Sequence, residues 1–224
     1  MEYSEETAEK GLTLLNKCYD MAMNGVIGSK SVVDLANDYL IENDGNREKA
    51  IDSLVRWQIR KCTLSGVATG FGGFITSAVT IPANMVSVTY MQIRMIAAIA
   101  HLRGYDLKSD QVQSMVYCVL VGESFSKAVS EFGKEFAVKS GQALLKRIPG
   151  EVFKQINKWL GFRFITKGGT KGMVNLGKLV PFLGCFVGGT IDLIQTNVLA
   201  DLAREEFKLL PSPESNDSYE VSVN

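Results

Sequence analysis

The stretch Cys62-Thr-Leu-Ser-Gly-Val-Ala-Thr-Gly-Phe-Gly-Gly-Phe-Ile-Thr-Ser-Ala-Val-Thr-Ile-Pro82-Ala-Asn-Met-Val-Ser-Val-Thr-Tyr-Met-Gln-Ile93 runs for 32 residues between Lys61 and Arg94 without a formal charge. Its first half is built from glycine, alanine, serine and threonine. Gly66, Gly70 and Gly73 are spaced by four and three, so on a helix they share one face against which a second backbone can pack closely. Pro82 has no amide hydrogen and clashes with the preceding turn, which ends or kinks the run. A second helix is expected from Ala83 to His101. The two arms together read as a buried, tightly packed helical hairpin.

Upstream, the apolar residues recur at helical spacing. Leu12, Leu15, Tyr19 and Ala22 form one stripe over residues 4 to 24, with Gly25 as a stop. Ser29 or Ser31 caps a second helix through Glu42, and Asn43-Asp-Gly-Asn46 is a turn. A third helix from Arg47 to Lys61 aligns Ile51, Leu54, Val55 and Gln58, with Trp57 as an expected core anchor. These three helices read as a packing layer over the hairpin. Downstream, Arg103-Gly-Tyr-Asp106 is a turn, and Ser109 or Asp110 caps a helix through Val121. Phe125, Val129, Phe132 and Phe136 continue the helical pattern over 123 to 147 as a core face. Pro149 opens a helix toward Leu160, a position where proline is tolerated. A basic glycine-rich stretch, Gly161 to Gly172, then leads into a second apolar pattern from Met173 to Phe207 around Pro181.

The second pattern carries Gly184 and Gly188, again one turn apart. Trp57, Gly66 and Gly70 are separated by nine and four residues, and Trp159, Gly168 and Gly172 repeat those intervals. The prolines that follow are offset by three, so the spacing reads either as a pseudo-twofold pair of hairpins or as coincidence. The expected fold is all-α: a compact helical domain over residues 1–208, built around two glycine-rich apolar hairpins. Residues 209–224, with Pro-Ser-Pro-Glu-Ser-Asn-Asp-Ser at their centre, read as a disordered acidic tail.

Composition narrows the chemistry. The chain has 224 residues, 46% hydrophobic and 21% charged, enough to bury a substantial core. An acidic, polar amino terminus, Met-Glu-Tyr-Ser-Glu-Glu, argues against a secretory or transit peptide. Cys18, Cys62, Cys118 and Cys185 are far apart and lack metal-site spacing, which suits buried thiols in a reducing cytoplasm. His101 is the only histidine and has no spaced partner for a metal or a nucleophile, so a helix-end role is expected. Gly172-Met-Val-Asn-Leu-Gly-Lys178-Leu179 has the glycine and lysine of a phosphate loop, but Leu179 stands where magnesium needs a hydroxyl and Pro181 follows. The Gly70–Gly73 cluster lacks dinucleotide spacing and a βαβ setting. No catalytic constellation, cofactor site or metal site is expected.

Two features remain for function. Net charge is zero, yet residues 139 to 178 hold nine Lys and Arg against one acid, Glu151, while the first 52 residues hold eleven acids against five bases. Within the basic segment Lys146, Arg147, Lys154, Lys158, Lys167 and Lys171 are candidate contacts for anionic lipid; the asymmetry equally suits two halves of one fold attracting each other. The segment carries no recognition helix, so nucleic acid is not expected. The other feature is the polar residues set into apolar helices: Asn84, Thr89, Gln92 and Arg94 in the first unit, Asp192, Gln195, Thr196 and Asn197 in the second. Arg94 and Asp192 are natural counter-charges if both face inward, either as a structural bridge or as the polar floor of a pocket with Thr89, Thr196 and Asn84.

Thr69-Gly-Phe-Gly-Gly73, Pro82, Thr89 to Arg94, Ile99-Ala100 and Gly104-Tyr-Asp106 together resemble the EcsC family. Pro181-x-x-Gly184, Gly188-Gly189, Asp192, Thr196, Ala200 and Ala203 are similar to its carboxy-terminal part. No motif is specific alone; order and spacing carry the resemblance over about residues 45 to 207. The family takes its name from a bacterial operon that also encodes an ABC transporter, so the resemblance implies a bacterial-type all-helical protein working near the membrane, in transport or stress. It brings no catalytic residues. The first functional expectation is a non-enzymatic protein at the inner face of the cytoplasmic membrane, attached peripherally or by an inserted hairpin, with anionic lipid or a membrane protein as partner. The alternative is a soluble cytosolic domain that binds a protein partner, a lipid or a small molecule. Full spanning is disfavoured because the half before Pro82 is rich in Gly, Ser and Thr.

Overall fold

Ser4 opens the first helix by accepting the amide hydrogen of Thr7 on its side chain, and Glu5 and Glu6 follow in the first turn, where the helix dipole favours acids. The computed structural model describes residues 4–63, 83–132, 148–168 and 189–208; for 61–63, 83–85, 167–168 and 189–195 it describes the backbone path only. All regular structure among these residues is helical apart from an isolated bridge between Val26 and Ser29.

Helix α1 spans Glu5–Asn24, α2 Val32–Glu42, α3 Arg47–Thr63, α4 Ala83–Leu102, α5 Asp110–Leu120, α6 Phe125–Phe132, α7 Gly150–Gly168 and α8 Gly189–Glu206. The fold is all-α, as its periodicity predicts. Of the two candidate caps for α2 it is Ser31 that serves, accepting from the amide of Asp34 at 3.1 Å. Asn46 caps α3 through Lys49 at 3.0 Å. The turn between them places both Asp44 and Gly45 in the left-handed region, at φ 54° and 75°, which is why the Asp-Gly pair sits there.

Three features differ from the sequence reading. The helical pattern after Val121 is interrupted at Gly122, whose φ of 70° breaks the run before α6 begins. Helix α7 does not stop near Leu160 but continues through Gly161 to Gly168. Trp57 is half-buried, while Trp159 is only 4% exposed and takes the anchoring role, against the Phe132 ring at 5.6 Å and beneath Arg163 at 5.4 Å.

Gly161 stays helical because of what lies against it. A Cβ on Gly161 would meet the carbonyl of Ala8 at 2.3 Å, and one on Gly11 would meet the carbonyl of Gly161 at 2.0 Å. Helices α1 and α7 therefore cross backbone on backbone, and this is the most extensive helix pair among the described residues. The first helix is thus more than a covering layer.

Helix α4 is the centre. It packs against α1, α2, α3, α5 and α8, and its residues from Tyr90 to Ala100, except the half-buried Met91, are all buried. The second arm of the expected hairpin is therefore protein core. Its first arm, with Gly66, Gly70 and Gly73, lies outside the described residues, as do Gly184, Gly188 and the segment 209–224.

Candidate functional site

A buried helix in water normally carries no polar side chains unless they are bonded. Helix α4 carries such side chains in its amino-terminal half. Ser87, Thr89, Gln92 and Arg94 are each less than a tenth exposed, whereas Met95 to Ala100 are apolar. Neighbouring helices add Gln58 from α3 and Thr196 from α8, both buried.

These groups share one half of the bundle. Gln58 donates to the carbonyl of Met91 at 3.4 Å and Arg103 pairs with Glu48 at 2.9 Å, so α3 runs antiparallel to α4. Arg204 meets Asp52 at 2.5 Å and Phe207 meets Tyr105 at 5.1 Å, so α8 is antiparallel to α3 and parallel to α4. The end of α3 and the starts of α4 and α8 consequently lie at the same pole. The polar residues sit toward that pole, next to where the chain enters and leaves the segment 64–82 and where it leaves 169–188.

Arg94 is 6% exposed, and its Nη2 donates to the carbonyl of Lys30 at 2.7 Å. It thus reaches the loop between α1 and α2, where Ser29 and Tyr90 also share a hydrogen bond of 3.3 Å. Burial pushes the Tyr39 phenol up, Glu42 adds to this, and the charge of Arg94 pulls it partly back. Arg94 Nε and Gln92 Oε1 are buried without a hydrogen-bond partner. The side chains of Asp192 and Asn84, its expected companions, lie outside the described residues. Thr89 and Thr196 are buried as a pocket floor requires, at 1% and 4% exposure.

Of the candidate lipid contacts, Lys154 and Lys158 are described. Lys154 pairs with Glu151 at 2.7 Å and Lys158 with Glu5 at 3.2 Å. Arg163, the third described cation of the basic segment, is held by Glu123. That glutamate is 7% exposed at its side chain and also takes Lys127 at 2.9 Å. Lys146, Arg147, Lys171 and the side chain of Lys167 lie outside the described residues. Two of the three described cations are thus compensated by acids from α1 and the α5–α6 turn, and the third by Glu151 of its own helix; the first two support attraction between the two halves of the fold.

Sequence reasoning missed Glu123 and the Gly11–Gly161 crossing. The glutamate's tie to Arg163 had no local signal, because that partner is forty positions away. Gln58 was visible, aligned with the apolar stripe of α3. The two described thiols are held in their unreactive form: burial raises Cys18 to about 12 and pushes Cys118 well above the usual range. No cluster of three or more His, Cys, Asp and Glu that could hold a metal occurs among the described residues. Nor, among them, is any helix long and apolar enough to cross a membrane.

Fold and site define an all-helical protein with polar side chains set into its central helix and a basic segment over residues 139–178. The model of the EcsC protein family matches residues 45–209, and the chain belongs to that family. No match was found among curated proteins or among solved structures.

Proposed function

We propose that this chain is a non-enzymatic protein that attaches peripherally to the anionic inner face of the cytoplasmic membrane, keeping α4 in its core. One observation carries the reading. Between Glu135 and Asp192 the only acid is Glu151, and it is engaged by Lys154. Lys139, Lys146, Arg147, Lys167, Lys171 and Lys178 stand in the same stretch of sequence, which holds no second acid. Each such cation near an anionic leaflet contributes about 1 kcal/mol, and several together suffice for reversible attachment.

Insertion of the whole 62–101 hairpin is the less favourable mode. Moving α4 into a bilayer would carry Arg94 with it, at about 3 kcal/mol near the bilayer centre. It would also wet the faces of the five helices that cover α4. Peripheral attachment leaves these contacts intact. The proposal extends to a role in membrane transport or a stress process, with family membership as its support.

The test replaces Lys167 and Lys171 by glutamine and measures partitioning of the full chain onto phosphatidylserine-containing vesicles. The loss of two cations should weaken partitioning roughly 30-fold at low salt. Unchanged partitioning would remove the basic segment from the account, and no partitioning by the parent chain would favour the soluble interaction domain.

A further inference from the structure

The turn after α4 is folded back tightly. Gly104, at φ 92°, donates to the carbonyl of His101 at 2.9 Å, and Tyr105 donates to that of Ala100 at 3.0 Å. Tyr19 ties the next residues to α1, its hydroxyl donating to the carbonyl of Leu107 at 2.7 Å. Between this loop and the facing Met23 and Val33 lies an open cleft of about 330 Å³, at the small end of ligand-site volumes.

The lining mixes the apolar Met23, Val33 and Leu107 with His101, Asp106 and Lys108. The Asp106 carboxylate is turned onto its own loop, Oδ1 accepting the backbone N–H of Lys108 at 2.9 Å. Arg103 is engaged by Glu48. Lys108 stands exposed on the rim, and Arg47 of α3 is close enough to bias His101. Burial first, and Arg47 second, hold the imidazole pKa below its ordinary value, so at neutral pH it is uncharged with one N–H to donate. The cleft thus combines apolar residues, a neutral donor and one lysine, beside an aspartate held by its own loop.

We propose that this cleft binds a small carboxylate with a short apolar tail, its head on His101 and Lys108 and its tail along Met23, Val33 and Leu107. This site is separate from the basic segment and independent of membrane attachment. Binding an anion beside the imidazole favours its protonated form, so the His101 pKa rises when the site is filled.

Because His101 is the only histidine, its ring C–H signals report the site without ambiguity. The full chain is titrated with hexanoate, acetate and hexanol and followed by NMR. Hexanoate should shift the ring signals saturably and raise the imidazole pKa. Acetate, lacking the tail, and hexanol, lacking the charge, should bind at least about tenfold more weakly. Lys108→Gln, on the exposed rim and outside the folding core, should weaken hexanoate by a similar factor. Ring signals indifferent to hexanoate, or an equal response to acetate or hexanol, would overturn the proposal.

Discussion

At Gly11 and Gly161 a single methyl group would occupy the place of a neighbouring helix backbone. Gly11→Ala is therefore expected to destabilise the fold by about 1–3 kcal/mol, since backbone cannot move aside as a side chain can. Gly150, at the start of α7, has nothing within 4 Å of an added Cβ, and Gly150→Ala should leave stability within about 0.5 kcal/mol. Denaturant midpoints measure both. His101 gives a pH signature of its own. Its folded pKa lies below the ordinary 6.5 because burial, and then Arg47, disfavour the imidazolium. The unfolded chain therefore takes the proton more readily, and stability falls as pH drops through 6.5 toward the folded value. Replacing His101 by Gln should flatten that part of the stability–pH curve, read by thermal melts across the range. These residue-level features were only partly legible. The helical stripes were visible because periodicity is local. The Gly11–Gly161 crossing was not, because a glycine in a helix reads the same whether it faces a backbone or water.

Helix ends are where the elements are tied together. Glu206, at the end of α8, accepts the first amide hydrogen of α6 at Phe125, at 3.1 Å. Burial raises its pKa, and the bond to Phe125 partly offsets this. The folded state thus binds this proton more readily than the unfolded one, so Glu206 favours folding in acid and its contribution declines as pH rises past the ordinary 4.5. Glu206→Gln keeps an acceptor and removes the buried charge, and should be neutral or stabilising at pH 7. Glu206→Ala loses the cap and should cost about 1 kcal/mol. Glu123 is a stronger tie, buried between Arg163 and Lys127; Glu123→Ala should cost about 1–3 kcal/mol by leaving Arg163 short of its partner. Equilibrium unfolding of these variants is the check. The helices α1 to α5 were readable to within a few residues because caps and turns such as Ser31 and Asn43–Asn46 are spelled out locally. Neither Glu206 nor Glu123 was, since each acts on an element distant in sequence. Polar residues of α4 were read as a candidate floor from their types alone; that Arg94 reaches Lys30 depends on how α2 lies against α4, which no spacing encodes.

For the molecule as a whole, the reading turns on α4. Within an uncharged stretch of 32 residues, the described arm is the core on which five other helices pack. The surplus of cations over residues 139–178 is the proposed means of attachment, and attachment of that kind is screened by salt. Flotation of the purified full chain with neutral and with anionic vesicles, at low and at high ionic strength, tests this most directly. The account predicts flotation with anionic vesicles alone, reversed by salt. Flotation that survives high salt would contradict it by showing insertion, and a chain that stays at the bottom under every condition would contradict membrane attachment altogether.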